Sequence, residues 1–438
     1  MIAVFILLGL VAVGLVVTAH WYLWRRLVRD TMTRGGWPRR LATAAIVLLP
    51  LTSFAATAST RAGAPFAVQR AVAWPGYFWL ALLLYLLLAT LAGELVRPVL
   101  HRLMRRRATP EAESAGDTET REAAVAALAQ QVAGKPAGTA GQTEAGDGAP
   151  DTEDPPQATV DANASRRLFV ARSVALVATT AAAGTVGYGA YGVLGKAPRV
   201  KRVTIPLAKL PRAAHGYRIA VVSDIHLGPI LGRAHTQRIV ETINRTNPDL
   251  ITIVGDLVDG SVHDLAPATE PLRDLRARDG AYFVTGNHEY FSGAGPWVDH
   301  VRELGVHPLE NARTELAAFD LAGVNDISGE SHDDGPDYGK ALGDRDTSRA
   351  SVLLAHQPVM IHDAVKHHVD LQLSGHTHGG QLWPGNLVAR AANPTVAGLE
   401  RYGDTQLYVT RGAGAWGPPV RVGAPSDITV VELASLKA

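Results

Sequence analysis

The long apolar segments before position 196 constrain the fold of this chain more than any other feature of the sequence. A helix needs about 20 mainly apolar residues to cross the hydrocarbon core of a bilayer. Four segments approach or meet that length, with aromatic and arginine residues at their ends, where membrane anchors are found. They are 2–17, 41–58, 77–96 and 168–194. We therefore predict about four transmembrane helices, of which 41–58 is the weakest because Pro50 interrupts it.

The arginine residues predict the orientation of these helices. They cluster at 25–40, 97–107 and 166–172, whereas only Arg61 and Arg70 lie between the second and third segments. Loops rich in arginine stay in the cytoplasm. The sequence therefore predicts a multi-pass protein of the cell membrane whose residues after Gly195 are extracytoplasmic. This predicted side of the membrane changes if 41–58 does not span.

An acidic stretch separates the third apolar segment from the fourth. Residues 108–164 contain eleven Asp and Glu against Arg121 and Lys135, and they are rich in Gly, Pro, Ala and Thr. Such a composition predicts a disordered linker, with a short helix at 122–133 at most. The predicted domains are a membrane domain with three transmembrane helices at 1–107, the linker at 108–164, a fourth transmembrane helix at 165–196 and a soluble domain at 197–438.

The fourth apolar segment begins with Ser165-Arg166-Arg167-Leu168-Phe169-Val170, which resembles a twin-arginine export signal placed inside the chain. The alternative is a pair of arginines that mark a cytoplasmic boundary. Both interpretations place the following domain outside the cytoplasm.

The composition excludes several functions. A net charge of +1 argues against a surface that binds nucleic acid through bulk charge, so no nucleic-acid partner is expected. The chain has no cysteine, which excludes disulfides, thiolate ligands and a cysteine nucleophile. A transporter is disfavoured because Glu94 and Arg172, both near segment ends, are the charges that the apolar segments carry. No obligate protein partner is evident.

Beyond position 200, short apolar runs alternate with helical patterns, which predicts an α/β domain. The runs of strand length are 219–222, 250–254, 282–284, 352–354, 371–373, 407–409 and 428–431. Helical patterns cover 233–245, 272–277 and 297–304.

Two histidines, His376 and His378, follow the predicted strand 371–373 with one residue between them. In an extended chain alternate side chains point the same way, so both can reach one site. Gly375 and Gly379 flank the pair and allow a sharp turn. A His-x-His pair alone is a weak signal, and its weight depends on polar residues elsewhere.

Four further polar clusters also follow predicted strands. In open α/β sheets, ligands bind beyond the carboxyl ends of strands. The clusters are Asp224-Ile225-His226, Gly255-Asp256-Leu257-Val258-Asp259, Gly286-Asn287-His288-Glu289 and His356. Together with His376 and His378 they predict a metal site.

In these five motifs the chain resembles the calcineurin-like metallophosphoesterase superfamily over about residues 217–433. Gly379-Gly380-Gln381 and Arg411-Gly412-Ala413-Gly414 resemble its membrane-associated branch, the transmembrane or twin-arginine-exported metallophosphoesterases. The resemblance implies a four-layer α/β/β/α sandwich, preceded here by the transmembrane helices.

The resemblance also implies a role for each motif residue. One metal would be held by Asp224, His226 and His378, and a second by Asn287, His356 and His376. Asp256 would bridge the two ions. His288 would contact the phosphate and assist the leaving group, and Asp259 would orient His288. Glu289 is expected to be structural and to accept hydrogen bonds from backbone amides near the metal loop.

Nitrogen and oxygen donors suit two divalent ions of Mn, Fe, Zn, Co or Ni without choosing among them. Two ions about 3.5–4 Å apart activate a bridging water, which gives hydroxide for in-line attack on phosphorus. The implied function is a membrane-anchored dinuclear-metal phosphoesterase.

We expect a phosphodiester substrate, with a phospholipid or an envelope phosphoester as candidates. No lysine or arginine lies within the motifs to hold a dianion, although Arg233 and Arg411 could approach. The alternatives are a phosphomonoesterase of the same fold and a non-catalytic metal-binding sensor or scaffold.

Overall fold

The computed structural model describes residues 2–132 and 157–437, without the side chains at 2–5, 8, 101, 104–132 and 157–164. The first part of the chain is helical. Its helices are α1 (Ile2–Leu23), α2 (Trp37–Arg61), α3 (Phe66–Val132) and α4 (Gln157–Leu194).

Three of the described helices are long and apolar enough to cross a membrane. These spans are Trp37–Arg61, Phe66–Leu100 and Ser165–Leu194. The second predicted segment is therefore continuous in α2, even though Pro50 lies inside it. The first predicted segment forms α1, but several of its side chains lie outside the described residues, so its role as a span stays a prediction.

The predicted linker differs from the structure at both ends. Helix α3 continues to Val132 and α4 already begins at Gln157, while 133–156 lie outside the described residues. The prediction of a disordered linker over the whole of 108–164 is therefore wrong for the residues up to 132 and from 157, which the structure describes as helical. The stretch 119–132 is rich in Ala, Glu and Gln, which are strong helix formers, and this preference outweighs its low hydrophobicity.

The chain forms two compact units that cut across the membrane helices. One contains Met1–Ile46 with Leu86–Ala181, and the other contains Val47–Tyr85 with Ala182–Ala438. Within the first unit, Glu94 forms ion pairs with Arg26 at 2.8 Å and Arg97 at 3.2 Å. Arg172 Nε donates to the carbonyl of Thr31 at 3.0 Å. Glu94 and Arg172, the charges within the predicted apolar segments, are therefore paired.

The second unit contains two six-stranded mixed sheets among the described residues. The first sheet has the order β1 (Arg199–Leu207), β12 (Asp427–Ser435), β2 (Tyr217–Val222), β3 (Leu250–Val254), β4 (Ala281–Val284) and β5 (His307–Pro308). The second has the order β10 (Gly398–Tyr402), β11 (Thr405–Val409), β9 (Leu371–Ser374), β8 (Ser351–Leu354), β7 (Asp320–Gly323) and β6 (Ala312–Glu315).

Parallel pairing aligns the strand ends in the centre of each sheet. Strands β2, β3, β4 and β5 run parallel in the first sheet, and β7, β8, β9 and β11 run parallel in the second. Each of the seven apolar runs predicted to be strands forms one strand in the structure: β2, β3, β4, β8, β9, β11 and β12. Parallel strands end at the same edge, so the residues that follow them are brought together.

Helices cover the outer face of each sheet. They are α5 (Arg233–Asn244), α6 (Val262–Thr269), α7 (Asn287–Ser292), α8 (Ala294–Glu303), α9 (Tyr338–Leu342) and α10 (Ile361–Lys366). A further helix, α11 (Gly385–Ala392), has no buried residue. The helix predicted at 272–277 is instead a single 3-10 segment, Glu270–Asp274, which ends where the backbone of Leu275 becomes extended.

Three buried clusters show the layers. Ile239, Ile253 and Trp297 belong to a cluster between the helices and the first sheet. A second cluster joins the two sheets to each other and includes Phe319 and Tyr408. The third lies between the second sheet and α9 and α10. The predicted four-layer α/β/β/α sandwich is therefore confirmed.

Candidate metal centre

The predicted donor residues follow five strands that end at the same place. Asp224 and His226 follow β2, Asp256 follows β3, and Asn287 opens α7 after β4 in the first sheet. In the second sheet His356 follows β8, and His376 and His378 follow β9. The sandwich thus brings together donors as far apart in the chain as Asp224 and His378.

One group of donors contains Asp224, His226 and His378, whose ligand atoms lie within 4.8 Å of one another. The Nε2 atoms of His226 and His378 are 3.0 Å apart, and His378 Nε2 lies 3.3 Å from Asp224 Oδ1. All three residues are buried. This is the set that the family resemblance assigns to the first ion.

A second group contains Asp256, His356 and His376, also within 4.8 Å. His356 Nε2 lies 3.1 Å from Asp256 Oδ2, and His376 Nδ1 lies 3.0 Å from Asn287 Oδ1. The ring of His356 is oriented by its Nδ1, which lies 2.8 Å from the carbonyl oxygen of Val254. The four residues are those that the resemblance assigns to the second ion and to the bridge.

Asp256 lies between the two groups. Its Oδ2 atom is 3.1 Å from His356 Nε2 and 3.7 Å from His226 Nε2. Its Oδ1 accepts a hydrogen bond from the backbone of His288 at 2.9 Å, which fixes the carboxylate. The position is the one that a bridging ligand needs, and the bridging role stays a prediction.

The backbone at five of the donors is left-handed. Asp224, His226, Asp256, His376 and His378 have φ between 49° and 73°. For residues other than glycine this conformation costs about 1–3 kcal/mol each, and it persists only where surrounding structure imposes it. Such outliers cluster at functional sites, so they support a functional reading of these loops.

Glycine at position 255 makes one of these turns possible. A Cβ atom at Gly255 would lie 2.6 Å from His356 Nδ1, and the residue has a φ of 74°. The close approach lets the loop after β3 reach His356 across the two sheets. The sequence predicts sharp turns of this kind beside the donors.

His288 and Asp259 form a pair beside the first group. His288 Nδ1 lies 2.6 Å from Asp259 Oδ1, and the same oxygen is 3.0 Å from His226 Nδ1. Burial would lower the pKa of His288, but the charge and hydrogen bond of Asp259 raise it to about 9. A histidine held by a carboxylate in this way has the contacts that a proton donor needs, and the catalytic role of His288 stays a prediction.

Neighbouring histidines favour the ionised form of three carboxylates of the centre. Burial would raise the pKa of Asp224 and of Asp256, but neighbouring histidines lower both well below their usual range. Asp259 is affected in the same way by His226 and His288. A centre with anionic oxygens next to imidazole nitrogens is suited to cations.

Glu289 supports the loop that carries Asp256. Its carboxylate accepts backbone hydrogen bonds from Gly286 at 2.7 Å, Asp256 at 2.9 Å, Leu257 at 2.8 Å and Val258 at 3.3 Å. The expected structural role of Glu289 is therefore confirmed.

Arg421 is a residue of the centre that the sequence does not reveal. Its guanidinium is buried, lies 3.2 Å from His378 Nδ1 and donates to the carbonyls of His378, Gly414 and Ala424. Burial lowers the pKa of Arg421 to about 10. No motif surrounds this position, so only the fold shows that it contacts a donor.

The residues present fit divalent metal ions. His356 Nε2 is buried, and its neighbour at 3.1 Å is Asp256 Oδ2, which is itself a predicted metal ligand. Two imidazole Nε2 atoms at 3.0 Å, as in His226 and His378, repel each other unless a proton or a cation lies between them. The donors are all nitrogen or oxygen, which suits the predicted divalent ions.

A cavity of about 410 Å³ opens beside His288. His226, Asp259 and His288 form part of its floor. Its other walls come from the catalytic domain and from the Val47–Tyr85 part of the same compact unit. Ligand sites are usually concave spaces of about 300–1,000 Å³ with a few polar groups, so this cavity is the candidate substrate site.

Two facing sheets with Asp, Asn and His donors at their common edge define a class of metal-binding domains with a layered α/β architecture. A family model of the calcineurin-like phosphoesterase matches residues 217–380. An uncharacterized metallophosphoesterase of Aquifex aeolicus is 33% identical over 54% of this chain and 91% of its own length. The uncharacterized metallophosphoesterase YkuE of Bacillus subtilis is 31% identical over 62% of this chain and 98% of its own length. The chain therefore belongs to the calcineurin-like metallophosphoesterase family, as the motifs predict.

Membrane-associated proteins are among the relatives. A Danio rerio protein named transmembrane protein with metallophosphoesterase domain is 40% identical over 56% of this chain. The chain spans 59% of that relative's length. The predicted resemblance to membrane-associated members of the family is therefore confirmed.

Proposed function

We propose that this protein is a membrane-anchored phosphodiesterase with two divalent ions, held by Asp224, His226 and His378 and by Asn287, His356 and His376, with Asp256 between them. The observation that carries the proposal is the convergence of these seven donors next to the His288–Asp259 pair. When bound, the ions would supply Lewis-acid activation of the phosphoester and of water.

The chain's own residues complete the reaction. A water oxygen forms a bond to phosphorus while the bond from phosphorus to the leaving oxygen breaks. His288 donates a proton to that leaving oxygen, and Asp259 holds the imidazole in position at 2.6 Å. The proton released by water restores His288 in the next cycle. Glu289 keeps the loop of Asp256 in place through its four backbone contacts.

The charges around the cavity favour a diester over a monoester. Among the described residues that line the cavity, Arg61 is the sole arginine or lysine. Arg421 is committed to His378 and to backbone carbonyls, and Arg233 donates to the carbonyl of Pro267 at 3.2 Å. A lining with a single arginine besides His288 and the metal ions suits the single negative charge of a diester better than the two charges of a monoester.

The centre is proposed to face the cell exterior. The arginine distribution places the end of α2 and the end of α4 on the extracytoplasmic side. In the second compact unit these ends lie against the catalytic domain: Arg61 lines the cavity, and Val193 packs with Leu231 and Ala415. A reporter enzyme fused after Ala438 should therefore be active outside the cytoplasm, and activity confined to the cytoplasm would reverse the orientation.

The test of the activity uses the full chain in dodecyl maltoside micelles, which contain no phosphate ester. The protein is supplied with Mn²⁺, and hydrolysis of p-nitrophenyl methyl phosphate is compared with that of p-nitrophenyl phosphate. A higher kcat/KM for the diester supports the proposal. A higher value for the monoester supports the phosphomonoesterase alternative, and two bound ions without turnover of either ester support a sensor.

A further inference from the structure

The cavity beside His288 has walls of two origins. Thr57, Thr60 and Arg61 belong to the end of α2, and Tyr77 belongs to α3, both of which are candidate membrane spans. Tyr77 faces the catalytic domain, since a Cβ atom at Gly417 would lie 3.9 Å from its ring. The opposite wall includes Ile230, Leu231 and Trp416. One wall of the cavity beside the donor groups is thus formed by two candidate membrane spans.

The rim of the cavity exposes large apolar side chains. Phe291 is 74% exposed and Trp416 is 60% exposed, and both line the cavity. Their rings make edge contacts with the ring of His288, at centroid distances of 5.5 Å and 5.6 Å. Exposed aromatic rings beside a reactive residue mark an interaction site for an apolar partner.

Helix α11 extends this apolar surface. None of its residues is buried, and Leu387 and Val388 are 63% and 73% exposed. The preceding Trp383 accepts a hydrogen bond through its carbonyl from Tyr85 Oη of α3 at 3.0 Å. A helix that exposes leucine and valine beside a membrane helix is typical of one that lies in the lipid interface. The catalytic domain therefore presents its apolar surface on the side of its membrane helices.

Arg61 adds a cation to this apolar space. It ends α2, lines the cavity and has no ion-pair or hydrogen-bond partner among the described residues. A guanidinium binds phosphate oxygens in a fixed fork geometry. Arg61 is therefore available to an anionic ligand that approaches the centre along the membrane helices.

Given the proposed function, the geometry points to a lipid substrate: we infer that the cavity admits a phosphodiester with a long apolar chain, which enters from the bilayer. The phosphoryl group lies at the donor groups and His288. The chain lies between Thr57 and Tyr77 on one side and Ile230 on the other, and it leaves past Phe291 and Trp416. Arg61 is a positioning residue for the anionic head group.

A water-soluble phosphodiester would use little of this arrangement. It would gain nothing from the apolar rim, because the apolar groups there stabilise a ligand in proportion to the apolar surface they cover.

The test compares two substrates that share a leaving group, p-nitrophenyl hexadecyl phosphate and p-nitrophenyl methyl phosphate, with the full chain in dodecyl maltoside micelles and Mn²⁺. The inference predicts a kcat/KM ratio of about tenfold or more in favour of the hexadecyl ester, because the chain buries apolar surface. Thr57→Trp fills the cavity and should lower that ratio about tenfold. Phe54→Trp is the matched control, because Phe54 is 73% exposed on the same helix and does not line the cavity.

Micelle partitioning affects both variants equally, so the comparison between them isolates the cavity. Equal ratios in Thr57→Trp and Phe54→Trp would overturn the inference. Arg61→Gln should raise KM for the hexadecyl ester about tenfold with little change in kcat, as expected for one charged hydrogen bond. Arg61→Lys should restore part of the affinity, and Arg70→Gln should have no effect, since Arg70 does not line the cavity. An unchanged KM in Arg61→Gln would remove Arg61 from the site.

A second measurement does not depend on turnover. A hexadecyl phosphodiester with a photoreactive diazirine on its chain is cross-linked to the full chain, and the labelled peptides are identified by mass spectrometry. Labels should lie in peptides that contain residues 57–77 and 230–231, and Thr57→Trp should reduce them. Labels spread over all membrane helices would mean that the chain stays in the micelle. If neither ester is hydrolysed, the proposed function fails, whereas the labelling pattern still decides what the cavity binds.

Discussion

Two regions of this protein meet at one cavity and differ in almost every property. The donor floor, a name used here for the seven predicted metal ligands, reaches the cavity through His226 and is mostly buried. Within each of its two groups of Asp and His residues, the ligand atoms lie within 4.8 Å of one another. The outer wall, formed by Thr57, Thr60, Arg61, Tyr77, Phe291 and Trp416, includes side chains that are open to their surroundings. The floor has the rigidity that bond cleavage needs, and the wall has the apolar surface that selection of a ligand needs. The comparison predicts that variants of the floor slow all substrates alike, whereas variants of the wall change the preference among them.

The largest effect is expected from Asp256→Asn, which removes the charge between the two donor groups and leaves the size unchanged. We predict loss of both ions and activity below detection, measured by elemental analysis of the purified protein and by turnover of p-nitrophenyl methyl phosphate. The exposed Asp404→Asn is the matched control and should keep both ions. Two ions and measurable turnover in Asp256→Asn would show that the floor does not depend on a bridging carboxylate.

The next largest effect on turnover is expected from His288→Ala. The variant keeps every donor, so its ion content should equal that of the wild type, while the loss of a general acid should lower kcat about 100- to 10,000-fold. Both the methyl and the hexadecyl ester should lose the same factor. His263→Ala, at an exposed position, should have no effect. Full activity in His288→Ala would remove this residue from the mechanism, and loss of ions would make it a ligand.

Asp259→Asn should reduce kcat about 10- to 100-fold, as is typical when the partner of a functional histidine is removed. Asp259 acts through His288, so the two changes should not add: the double variant should be as slow as His288→Ala alone. Asp264→Asn, whose side chain is part of a helix cap away from the centre, controls for the loss of a charge. Additive losses would indicate that Asp259 has a role of its own.

Glu289→Gln should have the smallest effect on turnover and a clear one on stability. The amide offers one oxygen where the carboxylate serves four backbone N–H groups. Weaker partners for these buried groups should cost about 1–3 kcal/mol. Thermal unfolding of the full chain in micelles should show a lower Tm than for the exposed Glu303→Gln. An unchanged Tm would mean that the loop of Asp256 is held by its other contacts.

The donor floor could be predicted from the sequence because its polar residues directly follow the apolar runs that form buried strands. Each motif follows an apolar run, and strand ends meet at the edge of a sheet whatever the loops between them do. The pairing of His288 with Asp259 is likewise found in the structure as the family resemblance implies. What the sequence could not give is Arg421, since its contact with His378 joins residues 43 positions apart and no local pattern marks it.

The outer wall could not be predicted for the same physical reason. Thr57, Arg61 and Tyr77 lie in apolar segments that look like ordinary membrane helices, and only their packing against the catalytic domain gives them a place at the cavity. Strands at the sheet margins were also missed. The charged β6 and β10 carry the polar side chains that are typical of edge strands, and these hide the alternation of apolar residues.

The left-handed backbone of the donor loops bears on how the protein tolerates change. At His378, with a φ of 53°, glycine would relieve a local strain while it removed a ligand. Screens that reward heat resistance alone would therefore enrich inactive sequences at these positions. In a lineage released from selection for hydrolysis, we expect substitutions to appear first at these left-handed residues.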